Sequence, residues 1–310
     1  HRGSIQITME DIVTHVIEYG REHFLKYLLK TQKINTYVHF NIIVECAVRN
    51  KTNLFRFLYN NGFPIKAGAL VHIIKHDNLE LFKLCENYVR PWPHNMFRIC
   101  EYVSQQKSYN ILKYCILNKV DSYDSPVVCS FLALYGKLDM LRFAYEHGCA
   151  MNITTVICSA YEKKLTTFPH VMSKFTFNDI TPERLECFRL VNRELHTSLT
   201  RKERATVLLR IANVGDLNML KCAIEEFEYE PYNSWGRMYI AAMSSDTHVG
   251  ERLELMDYLY SKGYHLSVRC FYHCRKMDHR YFQWLWINRC PHEYNPAILD
   301  RSRKMGLLTL

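Results

Sequence analysis

The sequence predicts an all-α chain, an α-solenoid of about nine helix-turn-helix units stacked in chain order. Three observations lead there. The segment Gly136-Lys-Leu-Asp-Met-Leu-Arg-Phe-Ala-Tyr-Glu-His-Gly148 recurs in degenerate form, its first leucine matched at Glu22, Thr52, Leu79, Tyr109, Leu138, Leu185, Leu217, Leu253 and His279, at intervals of 26 to 47 residues. Apolar side chains repeat three and six positions after each of these reference residues, the spacing of a buried helical stripe. Glycine or proline then closes several units, as Gly62 with Pro64, Gly148, Gly263 and Pro291 do.

Each unit carries an outer, second helix. Its inner row reads Leu25, Phe55, Phe82, Leu112, Leu141, Phe188, Leu220, Met256 and Phe282, and its next row Leu28, Leu58, Cys85, Cys115, Ala144, Val191, Ala223, Leu259 and Leu285. The tenth position is glycine in only three units; Lys119 and Arg289 are among the residues that replace it, so the turn is expected to be kept only in part. Upstream lies a shorter first helix. Nine residues before the reference come Ile43, Leu70, Cys100, Cys129, Leu208 and Cys270, with Cys158 in the same place after Gly148. Five before it come Ala47, Ile74, Ser104, Ala133, Ala212 and Cys274, mostly small, which lets two helices approach closely.

From the N-terminus onward, residues 1–19 read as a cap and residues 20–294 as repeats, all within one array spanning 1–310. An insertion at 165–182, rich in Phe, Thr and Ser, separates a first helix from its second. Such insertions emerge on one face and either contact partners or fold back, here through Phe168, Phe175 and Phe177. The polar stretch Ser244–Gly250 reads as a longer connection, and 295–310 as a capping helix with Pro296 in its first turn and Arg301, Arg303 and Lys304 near its end.

A small, apolar first helix followed by Gly-x-Leu-x-x-Leu-x-x-Ala-x-x-x-Gly resembles the ankyrin repeat. The likeness covers roughly residues 15 to 294 and is most specific at 125–150 and 208–227. The family's Thr-Pro-Leu-His opening is missing; Ser125-Pro126 is its nearest remnant, two residues early. Periods below the usual ankyrin length of about 33 imply β-hairpin fingers that are reduced or absent. Endings such as His147-Gly148-Cys149 resemble the divergent ankyrin repeats common in large DNA viruses of amoebae and in protists. An unrelated stack of helical hairpins is the alternative. The resemblance implies an intracellular, cytoplasmic interaction protein or, for a viral source, one directed at a host factor in the host cytoplasm or built into the virion.

Hydrophobic residues make up 48% of the chain and Gly and Pro together only 20 residues, too apolar and too poor in breakers for a long disordered tract. The 12 cysteines fall mainly in core slots that take Leu or Ala elsewhere, and read as reduced, buried thiols rather than a disulfide scaffold. No apolar run approaches the ~18 residues that a membrane helix needs. The net charge of +9 favours acidic partners and does not by itself establish nucleic-acid binding.

Candidate chemistry is thin. Cys270, Cys274, Cys290 and His292 have a zinc-like spacing, but three of them occupy recurrent structural slots, so no metal is expected. No catalytic motif and no phosphate-cradling glycine loop stands out, and no cofactor is expected. Glu225, Glu226, Glu228 and Glu230 read as a solvated acidic edge.

In an ankyrin-like stack the non-core positions of the first helices line the concave face. Those positions select Arg49, His72, Lys75, His76, Tyr102, Phe131, Leu134, Tyr135, Arg210, Tyr272, Arg275 and Lys276 as partner-binding residues, a basic and aromatic groove centred on 125–148. The same side chains would also suit filling gaps between first helices. The expected function is a non-enzymatic scaffold for a protein partner, acidic in character; the alternative is a nucleic-acid binder whose tyrosines stack on bases.

Overall fold

A computed structural model describes residues 9–31, 41–86, 99–160, 182–231, 235–244, 248–274, 277–291 and 296–307. Among them the chain is all-helical, with nineteen α-helices and no strand. First and second helices alternate: α1 (Met9–Glu18) and α2 (Glu22–Lys30), α3 (Ile42–Val48) and α4 (Thr52–Asn60), α5 (Ala67–Lys75) and α6 (Leu79–Glu86), α7 (Ile99–Gln105) and α8 (Tyr109–Leu117), α9 (Pro126–Leu134) and α10 (Leu138–Glu146). Then come α11 (Ile153–Ala160) and α12 (Pro182–Leu195), α13 (Arg201–Val214) and α14 (Leu217–Lys221), α15 (Trp235–Ala242) and α16 (Val249–Ser261), α17 (Arg269–His273) and α18 (His279–Ile287). A last helix, α19 (Pro296–Lys304), follows where a closing helix is expected.

Seven of the nine second helices begin at the reference residue itself. The exceptions are α12, which starts at Pro182 rather than Leu185, and α16, which starts at Val249 rather than Leu253. Both follow a lengthened connection, and α16 absorbs the end of the stretch read as loop. The inner apolar row of the second helices is nowhere more than 1% exposed, so the register is the packing register. The matching slots of the first helices, from Ile43 and Ala47 to Cys270 and Cys274, are buried as well.

The chain divides into two compact units, one of residues 1–128 with 146–149, the other of 129–145 with 150–310. The sequence pattern, which continues unbroken through Val128 and Cys129, contains no sign of that grouping. In the first unit, first helices pack on first helices (α1 on α3, α3 on α5) and second helices on second helices (α4 on α6, α6 on α8). The second unit repeats the scheme with α11, α13, α15 and α17 in one row and α12, α14, α16 and α18 in the other. The N-terminal helix α1 packs on both α2 and α3, so the segment read as a cap supplies the first helix of the first hairpin.

Hairpin geometry depends on a left-handed residue two positions before the second helix. Gly20, Asn50, Asp77, Lys107, Gly136 and Gly215 all have φ between 51° and 92° there. In most of these turns the next amide returns to the first helix, as Lys51 N–H does to Cys46 O at 2.8 Å and Lys137 N–H to Leu132 O at 2.9 Å. The same closure follows the second helix, and here the sequence expectation needs correction. Lys119 and Arg289, read as lost turns, have φ of 49° and 54° and keep the bonds that Gly62 and Gly263 make. The preceding helix and the apolar residue that follows (Val120, Cys290) hold them there despite the Cβ.

Side chains of the turns tie successive hairpins. Asp77 accepts from the amides of Asn110 and Ile111, both at 3.0 Å, and so caps α8 from the neighbouring hairpin. Asn78 donates to Asn50 and Thr52, each at 2.7 Å. In the second unit the outer helices are joined by charge. Arg189 grips Glu226, Glu225 accepts from Lys262 and Tyr258, and Trp284 donates to Asp257 at 2.7 Å. The acidic run read as a solvated edge therefore includes two carboxylates that bond to the helices on either side.

Candidate functional site

The first helices of the second unit have an exposed side that is not filled by its own residues. Helix α13 starts at a capping box in which Thr200 and Glu203 satisfy each other's amides, and it ends at Gly215 in the left-handed conformation. Helix α14 continues into a π-helical turn, Cys222–Glu226, which adds one residue to the hairpin. The left-handed residue consequently falls on Glu228 rather than Phe227, and Tyr229 N–H reaches back six residues to Ala223 O where other units reach back five. That slip puts Met238 and Ala242 into the core slots of α15 and turns Arg237 outward.

Helix α15 packs between α13 and α17, and Gly236 lets it approach the segment before α17: a Cβ on Gly236 would stand 2.5 Å from Ser267 Cβ. Tyr239, buried, donates to the carbonyl of Tyr264 at 2.7 Å and pins that connection from below. Between the three first helices an open cavity of about 670 Å³ results. Its cations are Arg237 and Arg269, with the imidazoles of His265 and His273 beside them. Its apolar members, Leu209, Ile240 and Leu266, are each half-buried, and no aspartate or glutamate lines it among the described residues. Ser244 bridges to Asn213 at 2.8 Å along one wall.

The arginines give the cavity its chemical character. Among the described residues neither Arg237 nor Arg269 is held in an ion pair, and both are exposed. The Nε2 atom of His273 is shielded from water and has no hydrogen-bond partner among the described residues, so it does not face the open cavity.

The sequence-selected residues fall elsewhere. In the first unit Lys75 and His76 are exposed, His76 meets the carbonyl of Val48 at 2.8 Å, and Arg49 is paired with Glu45 on its own helix. His72 is half-buried, and burial followed by the charge of Lys75 holds its pKa down, which removes it from the basic set at neutral pH. Tyr102 is half-buried too. In the second unit Arg210 and Tyr272 are exposed beside the cavity without lining it; Asn213, three residues after Arg210 on α13, does line it. Arg275, Lys276 and the segment 161–181, which holds nearly all of the expected insertion, lie outside the described residues.

The proposed apolar centre is corrected by burial. Phe131 is 5% exposed and Leu134 2%, and every residue from Val128 to Leu134 is buried, so α9 presents no docking face there. Only Tyr135, stacked on Phe131 with ring centroids 6.1 Å apart, is partly accessible. The physical reason is composition: α9 is apolar on all sides, and a helix of that kind is a buried helix.

All twelve cysteines are buried and free. Burial pushes the thiols of Cys46, Cys85, Cys158, Cys187, Cys222 and Cys274 up to about 12. Cys270 and Cys290 share a hydrogen bond that draws Cys270 down and, with burial, pushes Cys290 far up. Cys270 is nonetheless fully buried, out of reach of a substrate. Among the described residues no group of three or more His, Cys, Asp or Glu side chains is placed to hold a metal, and His292 lies outside them. No helix among them is long and apolar enough to cross a membrane.

No family model, curated protein or solved structure matches this chain.

Proposed function

We propose that this protein is a non-enzymatic interaction scaffold, an ankyrin-like α-solenoid that receives a protein partner of acidic character on its first-helix side. The observation that carries the reading is the open cavity between α13, α15 and α17, lined by the cations Arg237 and Arg269 and by half-buried aliphatic side chains. Left-handed turns at a constant place in each hairpin and the small residues of the first helices support the ankyrin-like description. The cavity wall contains no Phe, Tyr or Trp among its described residues, the side chains most used to stack on bases, which favours a protein partner over nucleic acid. An intracellular setting accords with twelve cysteines held as free thiols.

The test is affinity capture with the wild-type chain and with Arg237→Glu/Arg269→Glu, after nuclease treatment. Proteins retained by the first and lost from the second, at unchanged melting temperature, support the reading. Retained nucleic acid, or the same proteins on both, would overturn it.

A further inference from the structure

Resting on that reading, we infer that the cavity between α13, α15 and α17 is a peptide site for an extended segment in which carboxylates alternate with aliphatic side chains. Two independent properties of the wall select that occupant. Arg237 and Arg269 are exposed and unpaired among the described residues, and the lining contains no carboxylate to compete with an incoming one. An acidic side chain gains a charge-assisted bond there, whereas a basic one meets only like charge.

The apolar members exclude a purely electrostatic partner. Ile240 and Leu266 are half-buried in the open cavity, so contact with an aliphatic side chain removes their remaining surface from water. A bare phosphate or an inorganic anion would leave that surface wet. The volume of about 670 Å³ lies in the range of small-ligand sites and holds a few side chains, not a folded domain.

Gly236 shapes the cavity by absence of a side chain: its close approach to Ser267 brings α15 and the α17 connection together, and both residues line it.

The experiment is fluorescence anisotropy on the full chain with defined synthetic peptides of equal length: one alternating Glu and Leu, one with Lys for Glu, and one with Ser for Leu. A labelled single-stranded oligonucleotide is the fourth probe. The Glu/Leu peptide is expected to bind; Lys for Glu abolishes binding, and Ser for Leu weakens it about ten-fold or more. Arg237→Gln and Arg269→Gln should each weaken it about ten-fold, with Arg142→Gln at an exposed position of the second helix α10 as a control expected to change nothing. Equal affinity of the Glu/Leu peptide for wild type and both cavity arginine variants places the peptide elsewhere and sinks this inference while leaving the scaffold reading intact. Equal binding of the Ser peptide removes the aliphatic half of the proposal. No binding of any peptide overturns the site, and tight binding of the oligonucleotide alone overturns the scaffold reading as well. The three glutamine substitutions are at exposed positions, and an unchanged melting temperature verifies the fold in each case.

Discussion

The guanidinium of Arg252 donates to the carbonyl oxygen of Ala242 at 2.6 Å, across the last residue of α15. The same side chain reaches Asn213 O and Val214 O at 3.0 and 3.1 Å, at the end of α13. One buried cation thus serves the C-terminal carbonyls of two adjacent first helices, where the helix dipoles favour positive charge. Burial holds its pKa below the usual arginine value, though it stays protonated. Arg252→Leu is expected to cost about 3 kcal/mol or more, because the carbonyls lose their donor inside the protein. Arg252→Lys should restore only part, since an ammonium cannot span both helix ends. Urea denaturation measures both, and a loss under about 1 kcal/mol for the leucine variant would show the carbonyls to be satisfied by other means.

Gly236 and Gly250 make opposite predictions for the same substitution. Alanine normally stabilises a helix by up to about 1 kcal/mol relative to glycine. At Gly250 a Cβ meets nothing within 4 Å, so Gly250→Ala should raise the melting temperature. At Gly236 it meets Ser267 Cβ at 2.5 Å, and overpacking of roughly 1–3 kcal/mol outweighs the propensity gain. Gly236→Ala should therefore lower the melting temperature; a rise in both variants would mean that the α17 connection yields freely.

Lys119 and Arg289 hold left-handed backbone at an energetic cost that glycine avoids. Replacing either by glycine removes a strain of about 1 kcal/mol and adds somewhat less in unfolded-chain entropy, for a net gain near 0.5 kcal/mol. The reciprocal change, Gly148→Ala at φ +92°, should destabilise by about 1 kcal/mol. Matching signs in the two directions would contradict the shared turn.

The thiols set an alkaline limit. Six of them are raised by burial from an ordinary value of 9.0 to about 12, so their contribution to stability is complete below pH 9 and is lost as pH rises toward 12. Denaturation midpoints should be level from neutral pH to about 9 and fall beyond it. Thiol-reactive dye should leave the native chain largely unlabelled at neutral pH and react with all 12 cysteines in concentrated guanidinium. Rapid labelling of several thiols in the native state would contradict their burial.

Much of the hairpin register was legible because it depends on local spacing. Leu141 and Ala144 sit three and six residues after Leu138, and any helix started there must put both on one face. The docking face was less legible. The rule that selects Phe131 and Leu134 takes a non-core slot to be an exposed one, and α9 is buried on every side from Val128 to Leu134. Arg237 was missed for a different reason: no first helix could be counted back from Leu253, since the connection after Ala242 is long and the π-helical turn shifts the frame by one. The one available signal was the pair Met238 and Ala242, apolar residues four apart ten and fourteen positions after Glu228.

The amino-acid pattern alone determined an all-helical chain of repeated hairpins and the residues of its inner rows, because apolar periodicity within a single helix is a local property of the backbone. Which exposed-looking slots stay open, where the cationic cavity forms, and that Arg252 closes two helix ends were decided by the tertiary structure. Those features depend on distances between residues such as Gly236 and Ser267, far apart in sequence, and on a one-residue slip that no periodic pattern records.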